Sequence, residues 1–146
     1  MRVDFYQLAR APVAQVLPRI AVRILGEGGR LLVTVGDEEA ARALDRALWV
    51  DAPTSFLPHG RAGAEGAADQ PVLIATDCVA ANGARNLALA DGAWRDEALG
   101  FDRAFHFFDE ESVAAARDAW RMLKARADVE PRYWRQDEDG RWQQMA

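Results

Sequence analysis

Four residues near the carboxyl end of the chain combine positive charge with one large aromatic ring. They are Arg117, Trp120, Arg121 and Lys124. Each residue of an α-helix turns by about 100°, so these four side chains fall within an arc of roughly 100°. An indole ring set among three cations suits a ligand that is both apolar and anionic. The spacing therefore predicts a binding surface on one face of a helix.

The helix that carries this surface is predicted to extend roughly from residue 110 to residue 125. Its other side holds the apolar residues that we expect to face the core. These are Ala115, Ala119, Met122 and Leu123. On this interpretation Trp120 points away from the core.

More aromatic and basic residues follow the helix, at positions 132–135 (RYWR) and 141–142 (RW). Aromatic and arginine side chains are the usual anchors of binding surfaces. The residues between them, 137–140 (DEDG), are typical of a hairpin turn. One alternative stays open: Trp120 and Trp142 pack on each other under the tail, and arginine stems cover them.

Few residues have the spacing that catalysis or metal binding requires. His59 and His106 lack metal-ligand spacing with Cys78 or with each other. Cys78 follows a predicted strand, a position where nucleophiles occur in α/β proteins, but no neighbouring base is identifiable. A lone cysteine is commonly an inert small hydrophobic residue. We therefore expect no catalytic residue, no metal and no cofactor, and a small enzyme that uses Cys78 or His59 stays a rival hypothesis.

Alternating strand and helix patterns must position these residues. Short apolar or alternating runs predict strands at residues 3–8, 31–35, 72–75, 86–90 and 104–108. Amphipathic patterns predict helices at residues 12–25, 38–49 and 110–125. Strands that alternate with helices indicate one α/β domain over residues 1–146. We expect three α/β/α layers around a largely parallel, Rossmann-like sheet.

Composition and charge narrow the class of protein. The chain has 146 residues and a formal net charge of −5, which argues against general nucleic-acid binding. Its single cysteine excludes an internal disulfide and fits a reducing compartment. No run of about 18 apolar residues is present, and the first residues lack the apolar segment of a signal peptide. We therefore expect a soluble, cytoplasmic protein that does not contact a membrane.

A second candidate surface is an aromatic loop after the second predicted helix. Trp49 ends that helix, and Phe56 and Pro58 follow within residues 55–59 (SFLPH). Large apolar side chains in a loop either fold back on the core or contact a partner, and both alternatives stay open. The next segment, residues 60–70, is rich in glycine and alanine and is expected to be mobile.

These strings resemble the chi subunit family of bacterial DNA polymerase III. The resemblance rests on residues 4–6 (DFY), 44–49 (LDRALW) and 55–59 (SFLPH), with Arg117, Trp120, Arg121 and Trp142 at the carboxyl end. It covers essentially the whole chain, and the middle strings are its most specific part.

The resemblance implies an accessory subunit of the clamp-loader complex that has no catalysis of its own. Members of that family bind the acidic, phenylalanine-ending C-terminal tail of single-stranded DNA-binding protein. They also bind the psi subunit, as a 1:1 heterodimer that joins the clamp loader. Contact with DNA is then only indirect.

The resemblance also assigns residues to the two partners. The tail-binding positions of the family match Arg117, Trp120, Arg121 and Trp142, with Phe108 as an apolar wall. In this arrangement Trp120 and Trp142 form a slot for the terminal phenylalanine, and Arg117 pairs with the free carboxylate. Arg121 and Lys124 attract the acidic residues upstream.

The psi-binding surface matches the region of Trp49, Phe56 and Pro58. A rival hypothesis is a single-stranded nucleic-acid-binding module that stacks bases on the same aromatic rings of the carboxyl end. The net acidity of the chain speaks against that rival.

Overall fold

One mixed sheet of eight strands forms the centre of the computed structural model, which describes residues 1–9, 11–50 and 57–146. The strands are β1 (Arg2–Gln7), β2 (Leu31–Thr34), β3 (His59–Arg61), β4 (Val72–Ala75), β5 (Asn86–Leu89), β6 (Arg103–Phe108), β7 (Glu130–Gln136) and β8 (Trp142–Gln144). Their order across the sheet is β3-β4-β2-β5-β6-β1-β7-β8. Every neighbouring pair is parallel except β7 and β8, which form an antiparallel hairpin.

Three α-helices in the described part of the chain cover the two faces of this sheet. They are α1 (Val13–Gly26), α2 (Glu38–Val50) and α3 (Val113–Lys124). The buried apolar residues of α1 and α2 belong to one hydrophobic cluster, and those of α3 belong to a second cluster across the sheet. The predicted α/β fold with a largely parallel sheet between helical layers is therefore confirmed.

Alternation along the strands decides which cluster each aromatic residue joins. Successive side chains of a strand point to opposite faces of the sheet. In β1, Phe5 packs in the cluster of α3, and Tyr6 packs in the cluster of α1 and α2. In β6, Phe107 and Phe108 are divided in the same way. The sheet thus separates two aromatic clusters that are close together in the sequence.

The edge strand β3 was not predicted. It has only three residues, and it lies at the start of the glycine-rich segment, where no alternating pattern can be read. Gly60 suits this strand because a Cβ atom there would lie 2.8 Å from Cγ of Gln70. For β7 and β8 the sequence predicted only the hairpin turn between them, not the strand bounds. The five predicted strands each agree with the structure to within one residue at either end.

The described residues contain no helix that is long and apolar enough to cross a membrane. Within the same residues, no group of three His, Cys, Asp or Glu side chains is placed to hold a metal ion.

Candidate functional site

A capping box fixes the short 3₁₀ turn, Glu110–Ser112, that leads directly into α3. The Asp109 carboxylate accepts hydrogen bonds from the backbone N–H groups of Glu111 and Ser112 at 3.0 and 3.1 Å. In return, the Ser112 hydroxyl accepts from the Asp109 backbone N–H at 3.0 Å. Such reciprocal bonds satisfy backbone donors that have no partner within the helix. They also set the direction in which α3 leaves β6.

The core-facing side of α3 differs in part from the predicted one. Ala119 and Leu123 are buried as expected, together with Ala116. The prediction was wrong for Ala115 and Met122, which are exposed. The helix is instead turned towards Trp120, which packs against the second cluster. An indole offers more apolar area than a methionine side chain, so this rotation buries more apolar surface.

Trp120 therefore borders the core instead of pointing away from it. Its ring lies edge-on to Phe5, with centroids 5.3 Å apart, and edge-on to Tyr133, at 6.3 Å. The Lys124 ammonium lies 5.8 Å from the Trp120 ring centroid, within the range of a cation–π contact. These contacts hold the indole in one orientation, and one side of the ring remains accessible from a groove.

The groove beside Trp120 has a volume of about 340 Å³ and is called the Trp120 groove here. It runs between α3 and the end of the sheet. Its lining residues are Gln7, Phe108, Val113, Ala116, Arg117, Trp120, Tyr133, Arg135 and Ala146. The groove thus combines aromatic walls with two guanidinium groups.

The basic residues of α3 divide between the groove and the outer surface. Arg117 lines the groove, is exposed, and has no ion-pair partner among the described residues. Arg121 points elsewhere, because its guanidinium pairs with the Asp118 carboxylate at 3.2 Å on the exposed side of the helix. Of the two, Arg117 is the cation that can reach an anion inside the groove.

The predicted slot between Trp120 and Trp142 is absent, and this part of the prediction was wrong. Trp142 pairs with Gln136 across the β7–β8 hairpin, so its side chain lies on the face of Trp134. It contacts the ring of Tyr6 edge-on, with centroids 5.1 Å apart, in the cluster of α1 and α2. Trp120 lies in the cluster on the other side of the sheet.

Tyr133 and Arg135 take the place in the groove that Trp142 was expected to fill. They alternate with Trp134 along β7, so they face α3 while Trp134 faces α1. The Tyr133 hydroxyl donates a hydrogen bond to the side-chain carbonyl of Gln7. A period of two, applied to residues 132–135, is the signal that would have identified both residues.

The second predicted surface is only partly described. Trp49 is 51% exposed at the end of α2, and its ring lies 4.4 Å from the ring of His59. Pro58 is half-buried, whereas Leu57 and His59 on either side are buried. Phe56 lies outside the described residues. Among the described residues of this region, the exposed large apolar side chains are Trp49 and Val50, in the last turn of α2.

The two candidate nucleophile and base residues are poorly placed for catalysis. Burial raises the pKa of the Cys78 thiol, which keeps the reactive thiolate scarce. Both ring nitrogens of His59 have partners: Nδ1 lies 2.7 Å from the Leu57 carbonyl, and Nε2 lies 3.0 Å from the Asp45 carboxylate. His59 is thus a structural residue that connects α2 to β3.

Comparisons with known proteins show the family to which this chain belongs. A family profile described as DNA polymerase III chi subunit, HolC, matches residues 1–129. The chain is also 29% identical over 115 residues to DNA polymerase III subunit chi of Escherichia coli (strain K12). That match covers 77% of this chain and 78% of the relative. The chain therefore belongs to the DNA polymerase III chi subunit family.

Proposed function

We propose that the Trp120 groove binds the acidic, phenylalanine-ending C-terminal tail of single-stranded DNA-binding protein. The observation that carries this proposal is an aromatic groove with the guanidinium groups of Arg117 and Arg135 in its lining. The chain belongs to a family of DNA polymerase III subunits and so takes part in DNA replication. Its role there is to attach the polymerase machinery to DNA that is already covered by protein.

The chemistry of the tail complements the groove. A terminal phenyl ring needs apolar walls, which Trp120, Phe108 and Tyr133 provide. A free carboxylate next to that ring needs a cation, and Arg117 offers a guanidinium that can bind it through two hydrogen bonds. Lys124 and Arg121 lie outside this contact and attract the upstream acidic residues, mainly through the association rate.

Replacing Trp120 with alanine is expected to weaken binding of an acidic peptide that ends in phenylalanine by about 2 kcal/mol or more, roughly 30-fold in Kd. The matched control is Trp142→Ala, which removes the same ring from the opposite face of the sheet and should change binding by less than about 0.5 kcal/mol. Calorimetry with the peptide, and with a peptide that lacks its terminal phenylalanine, measures both effects. Equal losses in the two variants would contradict the assignment.

A second proposed contact joins the chain to the psi subunit, and through psi to the clamp loader, as a 1:1 heterodimer. The supporting observation is the exposure of Trp49 and Val50, at 51% and 67%, next to the half-buried Pro58. Large apolar side chains that are exposed together commonly mark a protein interface. We include Phe56 in this surface because of the family match alone.

Trp49→Ala is expected to weaken assembly with psi by about 2 kcal/mol, because aromatic anchors dominate interface energies. Arg42→Ala serves as the control, since Arg42 is exposed on the same helix and away from its last turn. Co-purification followed by calorimetry measures the effect. Full psi binding by a folded Trp49→Ala variant would remove Trp49 from the interface.

The protein acts without catalysis of its own in this proposal. The raised pKa of Cys78 and the occupied ring nitrogens of His59 support that statement. Because the half-buried Cys78 is the chain's one cysteine, a reducing compartment such as the cytoplasm suits the protein.

A further inference from the structure

A second cavity lies on the opposite face of the sheet, between α1 and the β7–β8 hairpin. Its volume is about 310 Å³. Four arginine side chains line it, namely Arg2, Arg19, Arg23 and Arg103, and we call it the arginine cavity. Aromatic rings form much of the remaining wall. Part of that wall comes from residues after position 129, beyond the part of the chain that the family profile matches.

A buried carboxylate holds two of the arginines in place. Asp4 is fully buried in β1, and its side chain lies 3.1 Å from Nη2 of Arg2 and 2.9 Å from Nη2 of Arg103. The Trp134 indole N–H also donates to this carboxylate, at 2.9 Å. Each guanidinium bonds to Asp4 through Nε and Nη2, so its other N–H groups remain to donate to a ligand.

The other two arginines come from α1. Arg19 and Arg23 are one helical turn apart on the face that borders the cavity, and both are exposed. No acidic side chain among the described residues forms an ion pair with either of them. Asp4 thus supplies one negative charge at a cavity lined by four guanidinium groups. Such an excess of like charge is relieved when an anion enters.

The aromatic wall of the arginine cavity contains two half-buried indole rings, Trp134 and Trp142. Trp134 is stacked on Tyr6, with ring centroids 6.1 Å apart and planes 11° from parallel. Trp142 meets Tyr6 edge-on and is itself half-buried at the rim. A planar ligand group can stack on an indole held in this way, and each such base–aromatic contact stabilises binding by about 1–3 kcal/mol.

We propose that the arginine cavity binds a nucleotide unit, with phosphate on Arg19 and Arg23 and the base against Trp142. Phosphate groups place several negative charges within a small volume, whereas an extended acidic peptide spreads its carboxylates at about 3.3–3.6 Å per residue. Guanidinium forks match phosphate oxygens in geometry, and the adjacent indoles match a base. The nucleotide can be free or part of a single strand.

Calorimetry on the full chain tests this proposal with three probes: deoxyadenosine triphosphate, a single-stranded oligodeoxyadenylate and inorganic tripolyphosphate. The double variant Arg19→Ala/Arg23→Ala should weaken nucleotide binding about tenfold or more. The matched control, Arg42→Ala/Arg46→Ala, removes two exposed arginines one turn apart on α2 and should leave binding within about twofold. Trp142→Ala should weaken nucleotide binding about fivefold or more and leave tripolyphosphate binding unchanged.

Binding of the triphosphate assigns the site to free nucleotides, and binding of the oligomer alone assigns it to a nucleic-acid strand. Either result supports the proposal if the Arg19→Ala/Arg23→Ala variant binds the same probe more weakly than the wild type does. Absence of binding to both nucleotide probes, or equal binding by the wild type and that variant, would overturn it. So would tripolyphosphate binding as tight as the nucleotide, or displacement of the nucleotide by the acidic peptide.

Discussion

Replacing Arg117 with alanine is expected to reduce the affinity for an acidic, phenylalanine-ending peptide by roughly 30- to 4,000-fold. The range corresponds to about 2–5 kcal/mol, the typical cost of truncating one partner of a desolvated, hydrogen-bonded charge pair. Arg117 lines the Trp120 groove and has no ion-pair partner among the described residues, so its guanidinium is available to the ligand carboxylate. Calorimetry of the wild type and the variant gives the ratio directly.

Arg121→Ala is the matched control for Arg117→Ala. It removes an identical group four residues along the same helix, but one that faces Asp118 on the outer surface. Its effect on peptide affinity should be small and should vanish at high salt, as expected for an exposed charge. The same behaviour is expected of Lys124→Ala. Larger losses for Arg121→Ala than for Arg117→Ala would mean that the ligand lies on the outer face of α3.

A second large effect concerns stability at acid pH. His106 in β6 is fully buried, and neither ring nitrogen has a hydrogen-bond partner among the described residues. Its ring is surrounded by Phe5, Trp94 and Phe108, at centroid distances of 5.2, 5.9 and 5.9 Å. Burial lowers the pKa of His106 from 6.5 to about 4. His106 therefore binds a proton more weakly in the folded protein than in the unfolded chain.

The sign of the pH dependence follows from that difference. Above pH 6.5 the histidine is neutral in both states and stability is unaffected. As the pH falls from 6.5 towards 4, the unfolded state binds a proton and the folded state does not, so stability falls. The loss reaches about 3 kcal/mol at pH 4, at 1.36 kcal/mol per pKa unit.

Denaturant unfolding of the wild type and of His106→Leu, at pH 7 and at pH 4, measures this contribution. The two proteins differ only at residue 106, so the difference in their unfolding free energies isolates His106. Between pH 7 and pH 4, the wild type should lose about 3 kcal/mol more unfolding free energy than His106→Leu does. Parallel pH profiles for the two proteins would show that His106 is not held neutral by burial.

Much of the fold was predictable because local patterns and tertiary packing agree. The apolar runs at β2 and β4 are buried on both faces, so their composition alone marks them as central strands of a parallel sheet. Asp37 is a typical capping residue directly before α2, and its carboxylate accepts a hydrogen bond from the Ala40 backbone N–H at 2.7 Å. Such signals depend on only a few neighbouring residues, so they can be interpreted without knowledge of the rest of the chain.

The groove was harder to predict because it depends on which face of the sheet each aromatic residue joins. Helical spacing predicted that Arg117 lies beside Trp120, and both line the groove. Trp142 was misplaced because its face depends on its pairing with Gln136, and that register follows from the length of the hairpin turn. Met122 was wrongly predicted to face the core. Helical periodicity alone does not reveal that Trp120 packs there instead, against Phe5 and Tyr133.

Photo-cross-linking tests the central proposal most directly, because it reports which of the two aromatic surfaces receives the end of the peptide. The acidic peptide is made with benzoylphenylalanine in place of its terminal phenylalanine, irradiated with the full chain, and the adduct is located by mass spectrometry. The proposal predicts adducts on the walls of the Trp120 groove, at Trp120, Phe108 or Tyr133, which unlabelled peptide suppresses. Adducts confined to Trp142 or to α1, on the opposite face of the sheet, would contradict it.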